Sequence, residues 1–308
     1  MHPLSGIFPV LPTPFDETGA VDIGAMSKLT RFAVRAGVSG VVFPGFASEV
    51  EYLTPSERGG LLREVVAAAG DKATIIAGAS AETADEVITH GLYAQKLGIG
   101  RLMIQPPISI GQEVAQIADF FTAIATRLPN IEFILQNAPA PRGSDLSPTT
   151  IIEVARAVPQ ITYIKEETLP AGPAISEILS SSPATLIGVI GGGGARYILD
   201  EYERGACAAM PAVEIADKHV ALDRAWKAGD RDAARAIYVQ TLPLLVLQAI
   251  YRMRLTKHTM LRRGVLKNAI VRAPTAELDS ASIADIDANL VEIGIWAAPD
   301  DRPKEVSA

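Results

Sequence analysis

Short apolar runs rich in β-branched residues recur along the chain, and each is followed by a longer stretch in which apolar positions return every three or four residues. Near-continuous apolar runs read as strands covered on both faces, and the stretches of helical period read as amphipathic helices laid against them. Eight strands are predicted in this way, at 6–11, 40–43, 74–77, 101–105, 132–136, 162–165, 186–190 and 206–210. Helices are predicted between them, for example at 55–69, opening on Pro55 with Glu57 in its first turn, and at 84–97, stopping at Gly98. Proline lacks an N–H that the first helical turn leaves unpaired anyway, and glycine takes the left-handed conformation that ends a helix.

Strands that alternate with helices imply a parallel sheet with helices on both faces, and eight such units imply an α/β fold of the closed (β/α)8, or TIM, barrel type. The barrel is expected to occupy residues 1–228. Helical periodicity without strand signals continues from Asp230 to about Glu292, so residues 229–308 are expected to form a C-terminal helical extension packed on the barrel. The polar, proline-bearing tail at 298–304 is expected to be poorly ordered. An open doubly wound sheet is the alternative, but it carries a glycine-rich phosphate cradle after its first strand, where this chain has Pro12-Thr13-Pro14-Phe15. The glycine run at 191–194 lacks the spacing and the Lys-Ser/Thr pair of a phosphate loop.

Charge and composition narrow the partners. A net charge of −7 and a pI near 5.2 repel nucleic acid and anionic membrane surfaces, so neither is expected as a partner. Basic residues cluster at Arg252, Arg254, Lys257, Arg262, Arg263 and Lys267, and helical spacing is expected to spread them over a solvated or subunit-contacting face. Cys207 is the single cysteine, which rules out an intrachain disulfide and fits a reducing, cytoplasmic setting; its small apolar neighbours mark it as a buried hydrophobe. His2, His90, His219 and His258 are scattered without metal-ligand spacing, and no metal is expected. The start has no secretory pattern, and no uninterrupted apolar stretch of ~18 residues predicts a membrane span.

In a parallel barrel the active site forms at the carboxyl ends of the strands. Lys165 closes the sixth predicted strand behind Ile161-Thr162-Tyr163-Ile164, where a flexible cation gains nothing from packing. Apolar walls disfavour an ammonium, and the neutral amine is the form that adds to a carbonyl carbon to make a Schiff base. The competing reading is a lysine that snorkels from the strand end and pairs with Glu166 or Glu167. The same mouth should receive Phe46-Ala47-Ser48-Glu49 after the second strand, Gln105-Pro106-Pro107 after the fourth, and Gln136-Asn137 with the Arg142 loop after the fifth.

These segments resemble a known family. Gly45-Phe46-Ala47-Ser48-Glu49-Val50-Glu51-Tyr52-Leu53-Thr54 resembles the Gly-Thr-Thr-Gly-Glu-x-x-x-Leu-Thr signature of the dihydrodipicolinate synthase and N-acetylneuraminate lyase superfamily, the Schiff-base class I aldolases. Leu135-Gln136-Asn137-Ala138-Pro139 resembles its Tyr-Asn-x-Pro segment, and Tyr163-Ile164-Lys165-Glu166 its imine-forming lysine segment. The likeness runs in order from Gly6 to the C-terminal helices. It implies a small-molecule 2-keto acid substrate held as an imine on Lys165 without a cofactor, and a homotetramer built as a dimer of dimers. It further implies that Ala47, Ser48 and the loop amides take the substrate carboxylate. Glu49, Asn137, Thr168, Arg142 and Gly191 are set beside the substrate as well; the competing readings are that Glu49 braces the loop through backbone amides, that Asn137 fixes loop geometry and that Arg142 is solvated. Ser48 is equally readable as a turn cap before the helix at Pro55.

Three departures shape the expected chemistry. Phe46 and Ala47 stand where the family has paired threonines, Gln136 stands where it has a proton-relaying tyrosine, and no tyrosine follows Pro106. Gln136 can orient groups but does not titrate, so water, the substrate carboxylate, or the hydroxyl of Ser48 or Thr168 is expected to move protons. Within the family the chain resembles the L-2-keto-3-deoxyarabonate dehydratase-like branch. The likeness lies in Gly6-Ile7-Phe8-Pro9-Val10, Ser48-Glu49, Gln136 with Ala138-Pro139-Ala140, Lys165-Glu166-Glu167-Thr168, and Arg262-Arg263-Gly264-Val265. The glycine run at 191–194 departs from it, since those relatives often place acids there. The resemblance implies a lyase that dehydrates a 2-keto-3-deoxy sugar acid. A pyruvate-dependent aldolase or lyase, a dihydrodipicolinate synthase-like condensation, and a binding protein that has lost catalysis are the alternatives.

Overall fold

Side chains set where the helices begin. In the computed structural model of the protein, Asp22, Thr54, Thr83 and Ser147 each accept a hydrogen bond from the backbone amide three residues on; Thr54–Glu57 and Thr83–Glu86 are complete capping boxes. Such caps pair amides that the first helical turn leaves free. Residues 2–295 are described, so the expectation for the tail at 298–304 lies outside the described residues.

Strands and helices alternate as β1 (Gly6–Ile7), α1 (Ile23–Ala36), β2 (Gly40–Phe43), α2 (Pro55–Ala69), β3 (Thr74–Gly78), α3 (Ala84–Lys96), β4 (Arg101–Ile104), α4 (Val114–Arg127), β5 (Glu132–Asn137), α5 (Pro148–Ala157), β6 (Ile161–Glu166), α6 (Ala171–Ser181), β7 (Gly188–Gly191), α7 (Ile198–Glu203), β8 (Ala208–Ala209) and α8 (Ala216–Lys227). All eight strands are parallel in the order β1-β8-β7-β6-β5-β4-β3-β2. The gap between β1 and β2 is closed by Val10, which bridges Val42 on one side and Ala212 on the other. The predicted first strand at 6–11 is therefore shortened as a ladder. Pro9 has no N–H to donate, and only its carbonyl pairs, accepting from Val42 N at 3.0 Å. The strands at 186–190 and 206–210 are likewise shorter than predicted.

Strand parity sorts two apolar layers. Val42, Ile76, Met103, Ile134, Tyr163 and Ile190 point into the barrel, while Val41, Phe43, Leu102, Phe133, Leu135, Ile164 and Val189 pack against the helices outside. Because side chains alternate along a strand, Gln136 follows Ile134 inward and Lys165 follows Tyr163 inward. The register pairs them directly, Gln136 opposite Lys165. At the other end of the barrel the Tyr163 hydroxyl accepts a hydrogen bond from Leu4 N at 2.9 Å, plugging the bottom.

The C-terminal region is less uniformly helical than its periodicity predicts. It forms α9 (Arg231–Tyr251), α10 (Met253–Arg262) and α11 (Ser280–Glu292), with residues 263–279 outside any helix. Arg252 breaks α9 from α10 at φ 47. By length and composition α9 could cross a bilayer, with mean hydropathy 1.4. Its Leu244 and Leu245 instead pack with Leu255 of α10 and Ile286 and Leu290 of α11 in a separate small core.

Candidate active site

Lys165 does not snorkel. Its side chain is about 4% exposed, and its Nζ lies 2.7 Å from Glu167 Oε1 at the floor of a cavity of about 610 Å³ that fills the carboxyl mouth of the barrel. Both sequence readings hold in part: the lysine is enclosed, and it is paired. Gln136 Nε2 donates to the same Glu167 Oε1 at 2.7 Å, and Gly193 N reaches Oε2 at 3.4 Å. Burial raises the Glu167 carboxyl. The Lys165 ammonium and the hydrogen bonds from Lys165, Gln136 and Gly193 outweigh it and hold the carboxyl below the usual range.

Glu167 was not among the residues expected to act. The signal was parity: two residues beyond an inward-facing lysine, a side chain returns to the same side. Glu166 takes the opposite part. It is fully buried, and its Oε1 accepts from Thr168 N at 2.7 Å and Thr168 Oγ1 at 2.5 Å, while Oε2 accepts from Asn137 Nδ2 at 2.9 Å. Asn137 also donates to Leu146 O at 3.0 Å and accepts from Leu146 N at 2.8 Å, which pins the loop after β5. The Thr168 hydroxyl, expected beside the substrate and as a possible carrier of protons, is thus committed to Glu166 and does not line the cavity.

Ser48 departs from expectation in the same way. It is buried, its Oγ donates to Leu11 O at 2.5 Å and accepts from Gly45 N at 2.9 Å, and it does not line the cavity. Its hydroxyl holds the loop, as in the capping reading, and is not aimed at a substrate. Ala47 does line the cavity, and among the described residues the amides of Phe46 and Ala47 donate to no protein acceptor. Gly191 also stands back from the cavity wall, because a Cβ there would lie 2.0 Å from Glu201 Oε2; Gly193 and Gly194 form the wall instead.

Glu49 braces as expected, but through an unexpected partner. Its backbone adopts φ 58, ψ 40, and its carboxylate accepts from Arg272 N at 2.7 Å, Ala273 N at 2.8 Å and Lys257 Nζ at 2.5 Å. Lys257 is buried with it, and burial draws its ammonium down to about 8 despite the adjoining carboxylate. The expected solvated or subunit-contacting basic face is corrected for all but Lys267, which is exposed: Lys257 is enclosed, Arg263 pairs with Asp217 at 2.6 Å, Arg262 pairs with Asp287, Arg254 pairs with Glu277, and Arg252 lines the cavity. Helical spacing could not reveal these partners, which come from distant elements.

Arg142 lies on the exposed rim with its guanidinium 5.4 Å from the Phe46 ring centroid, and its carbonyl accepts from Gln105 Nε2 at 2.8 Å. Arg196, Tyr197, Gln248 and the segment Ala273, Pro274 and Thr275 complete the walls, so the helical extension builds part of the site. Among the described residues, no three His, Cys, Asp or Glu side chains converge as a metal site. Cys207 is partly buried, and burial pushes its thiol up to about 11.

An enclosed lysine with a carboxylate partner at the carboxyl mouth of a (β/α)8 barrel is the arrangement of a Schiff-base lyase. The model of the dihydrodipicolinate synthetase family matches residues 3–292, and the chain belongs to that family. It is 29% identical over 285 residues to an L-2-keto-3-deoxyarabonate dehydratase from Azospirillum brasilense, covering 91% of this chain and 92% of that one. It is 24% identical over 293 residues to a 4-hydroxy-tetrahydrodipicolinate synthase from Methanococcus maripaludis, covering 95% and 99%. The fold superposes on a dihydrodipicolinate synthase from Rhodopseudomonas palustris with a TM-score of 0.86 at 24% identity, covering 94% and 97% of the two chains. It superposes on the Proteus mirabilis N-acetylneuraminate lyase with a TM-score of 0.84 at 18% identity, covering 96% and 100%. The protein is an enzyme of the Schiff-base lyase class, which sets aside the lapsed binding protein.

Proposed function

We propose that the protein is a cofactor-free dehydratase of a 2-keto-3-deoxy sugar acid, working through an imine on Lys165. The observation that carries this reading is the shared oxygen of Glu167, within 2.7 Å of both Lys165 Nζ and Gln136 Nε2, where the family's synthases and lyases are expected to use a tyrosine. The likeness to a dehydratase of such an acid supports it.

The lysine first transfers a proton, for which Glu167 is the group in contact, and its amine then adds to the C2 carbonyl of the substrate. Loss of the carbinolamine oxygen as water leaves a protonated imine that draws electrons from C3. Glu167 gives the proton it took from Lys165 to that departing water, and as a carboxylate again it takes a C3 proton, whose C–H electron pair forms the C2–C3 double bond of an enamine. The enamine expels the C4 hydroxyl, to which Glu167 returns the proton, so that one water leaves; C4 is reduced and C5 is oxidised by the same amount, and no external oxidant or reductant is needed. Hydrolysis frees Lys165, and tautomerisation places a second carbonyl at C5 with the carbon count unchanged: a semialdehyde from a five-carbon acid, a 2,5-dioxo acid from a longer one. Gln136 holds the Glu167 carboxylate on the reacting side throughout, and the free amides of Phe46 and Ala47 suit the substrate's C1 carboxylate.

Borohydride reduction with pyruvate or a 2-keto-3-deoxy acid, followed by peptide mapping, tests the imine. An adduct on Lys165 is expected and its absence sinks the reading. Lys165→Ala should lose both adduct and turnover while keeping the far-UV circular dichroism of the parent. Product analysis separates the chemistries: pyruvate plus an aldehyde in place of a product of unchanged carbon count would assign cleavage.

Val239, Val246 and Ile250 form an exposed apolar stripe along α9, which suits a contact between copies in the proposed homotetramer. A cytoplasmic location completes the proposal.

A further inference from the structure

The cavity extends beyond Lys165 to the glycine run, the α9–α10 junction and the 263–279 segment, and that part of its wall carries cations. Arg196 and Arg252 line it together with Arg142 on the rim. Of the carboxylates nearby, Glu167 is bound to Lys165 and Glu49 to Lys257, and Glu51 lies exposed at the edge; Glu167 and the buried Glu214, whose carboxyl burial pushes up to about 7, are those whose charge reaches Arg196. A surplus of positive charge therefore faces the cavity of a protein whose net charge is −7.

Two features show that the wall is built for this charge. Arg196 Nη1 donates to Gln248 Oε1 at 3.1 Å, which holds the guanidinium against α9, and the Tyr238 hydroxyl donates to the Arg196 backbone carbonyl at 2.8 Å, which holds its main chain. The glycine run makes room for it, since a Cβ on Gly194, at φ +69, would lie 2.9 Å from Arg196 Nη1. Arg252 sits at φ 47, ψ −119, a conformation that strains a non-glycine residue, at the break that turns the α9–α10 junction onto the cavity. Among the described residues its side chain has no acidic partner. Burial lowers its guanidinium, and repulsion from Arg142 and Arg196 lowers it further.

Building on the imine reading, we propose that the substrate of this site carries a second anionic group at the end remote from its keto acid, taken by Arg196 and Arg252. The substrate class narrows from a 2-keto-3-deoxy sugar acid with a neutral tail to one whose last carbon bears a carboxylate or a phosphate. Arginine forks suit both groups.

Unreactive six-carbon analogues test the tail apart from turnover. Half-saturating concentrations for the borohydride-trapped adduct on Lys165 are measured with pyruvate, with 2-oxohexanoate, and with 2-oxoadipate, which has the same length and a terminal carboxylate. The expected preference for 2-oxoadipate over 2-oxohexanoate is on the order of ten- to a hundredfold, the size of a charge-assisted contact. It should fall toward one in Arg252→Gln and in Arg196→Gln, survive in Arg252→Lys, and shrink as salt is raised. A 6-phosphorylated 2-keto-3-deoxyhexonate that saturates below 2-oxoadipate assigns the anion as phosphate, and the reverse assigns it as carboxylate. Equal half-saturation of the two unphosphorylated six-carbon acids, with pyruvate still trapped, overturns this inference alone. No adduct with any acid overturns the imine reading and this inference with it.

Discussion

A single oxygen, Glu167 Oε1, receives hydrogen bonds from Lys165 and Gln136 at 2.7 Å each, and that geometry decides what each residue can do. Gln136 has no titrating proton, and the Ser48 and Thr168 hydroxyls are spent on Leu11 O and Glu166, so of these side chains Glu167, in contact with the lysine, is the one placed to move protons beside it. Glu167→Gln keeps the shape and removes the base. It should lower kcat by roughly 10²- to 10⁴-fold, the usual worth of a positioned acid–base group, while Lys165 still forms the trapped adduct on prolonged incubation, more slowly than in the parent. A variant that turns over at the parental rate would contradict the role. Lys165 was legible in the sequence because a cation at the end of an apolar run has few structural uses. Glu167 was obscured by its neighbour: of two adjacent glutamates, only the parity of the strand tells which one returns to the lysine. Ser48 misled for another reason, since a hydroxyl in a binding-loop motif reads the same whether it faces a ligand or its own backbone.

At the scale of elements, the C-terminal extension is fastened to the barrel mouth rather than laid on its outside. Glu49 binds Lys257 and the amides of Arg272 and Ala273; Arg272 in turn donates to Glu57 Oε1 at 2.7 Å and to Gly19 O at 2.8 Å. One carboxylate thus ties the loop after β2 to α10 and to the 263–279 segment that walls the cavity. Removing one member of a buried pair leaves the other uncompensated, so Lys257→Met should cost about 3–5 kcal/mol in urea unfolding. Adding Glu49→Gln should recover part of that loss, and additive losses in the double variant would argue against direct coupling. The contrast with the barrel shows what a pattern can carry. The bounds of β2 and α2 follow from local signals, an apolar run between glycine and proline and a capping box behind Pro55. The partner of Lys257 lies 208 residues away, and no local periodicity records it.

Across the whole molecule, buried ionisable groups set how stability responds to pH. Burial, with repulsion from Glu167, Asp200 and Glu166, pushes the Glu201 carboxyl up to about 8, and burial pushes Glu214 up to about 7. A carboxyl raised above its unfolded value near 4.5 keeps a proton that the unfolded chain releases. Its contribution is therefore complete below pH 4.5 and is lost as pH climbs toward 7 and 8. His219, buried with neither ring nitrogen hydrogen-bonded, and His90, half-buried beside Arg58, are drawn down to about 4. Their contribution is complete above 6.5 and is lost as pH falls toward 4, when the unfolded chain takes up protons that the folded one refuses. The two sets oppose each other between pH 4.5 and 6.5, and above 6.5 the carboxyls act without that opposition. Thermal melts at fixed ionic strength should show Tm falling from pH 6.5 to 8, each carboxyl adding a slope of up to about 1.4 kcal/mol per pH unit. Glu201→Gln, which replaces the protonated acid with a neutral amide of the same shape, should flatten that decline and raise Tm at pH 8 relative to the parent. A Tm that stays level or rises between pH 6.5 and 8 in the parent, or a slope that Glu201→Gln leaves untouched, would mean that Glu201 is ionised in the folded protein and has a compensating partner behind β7.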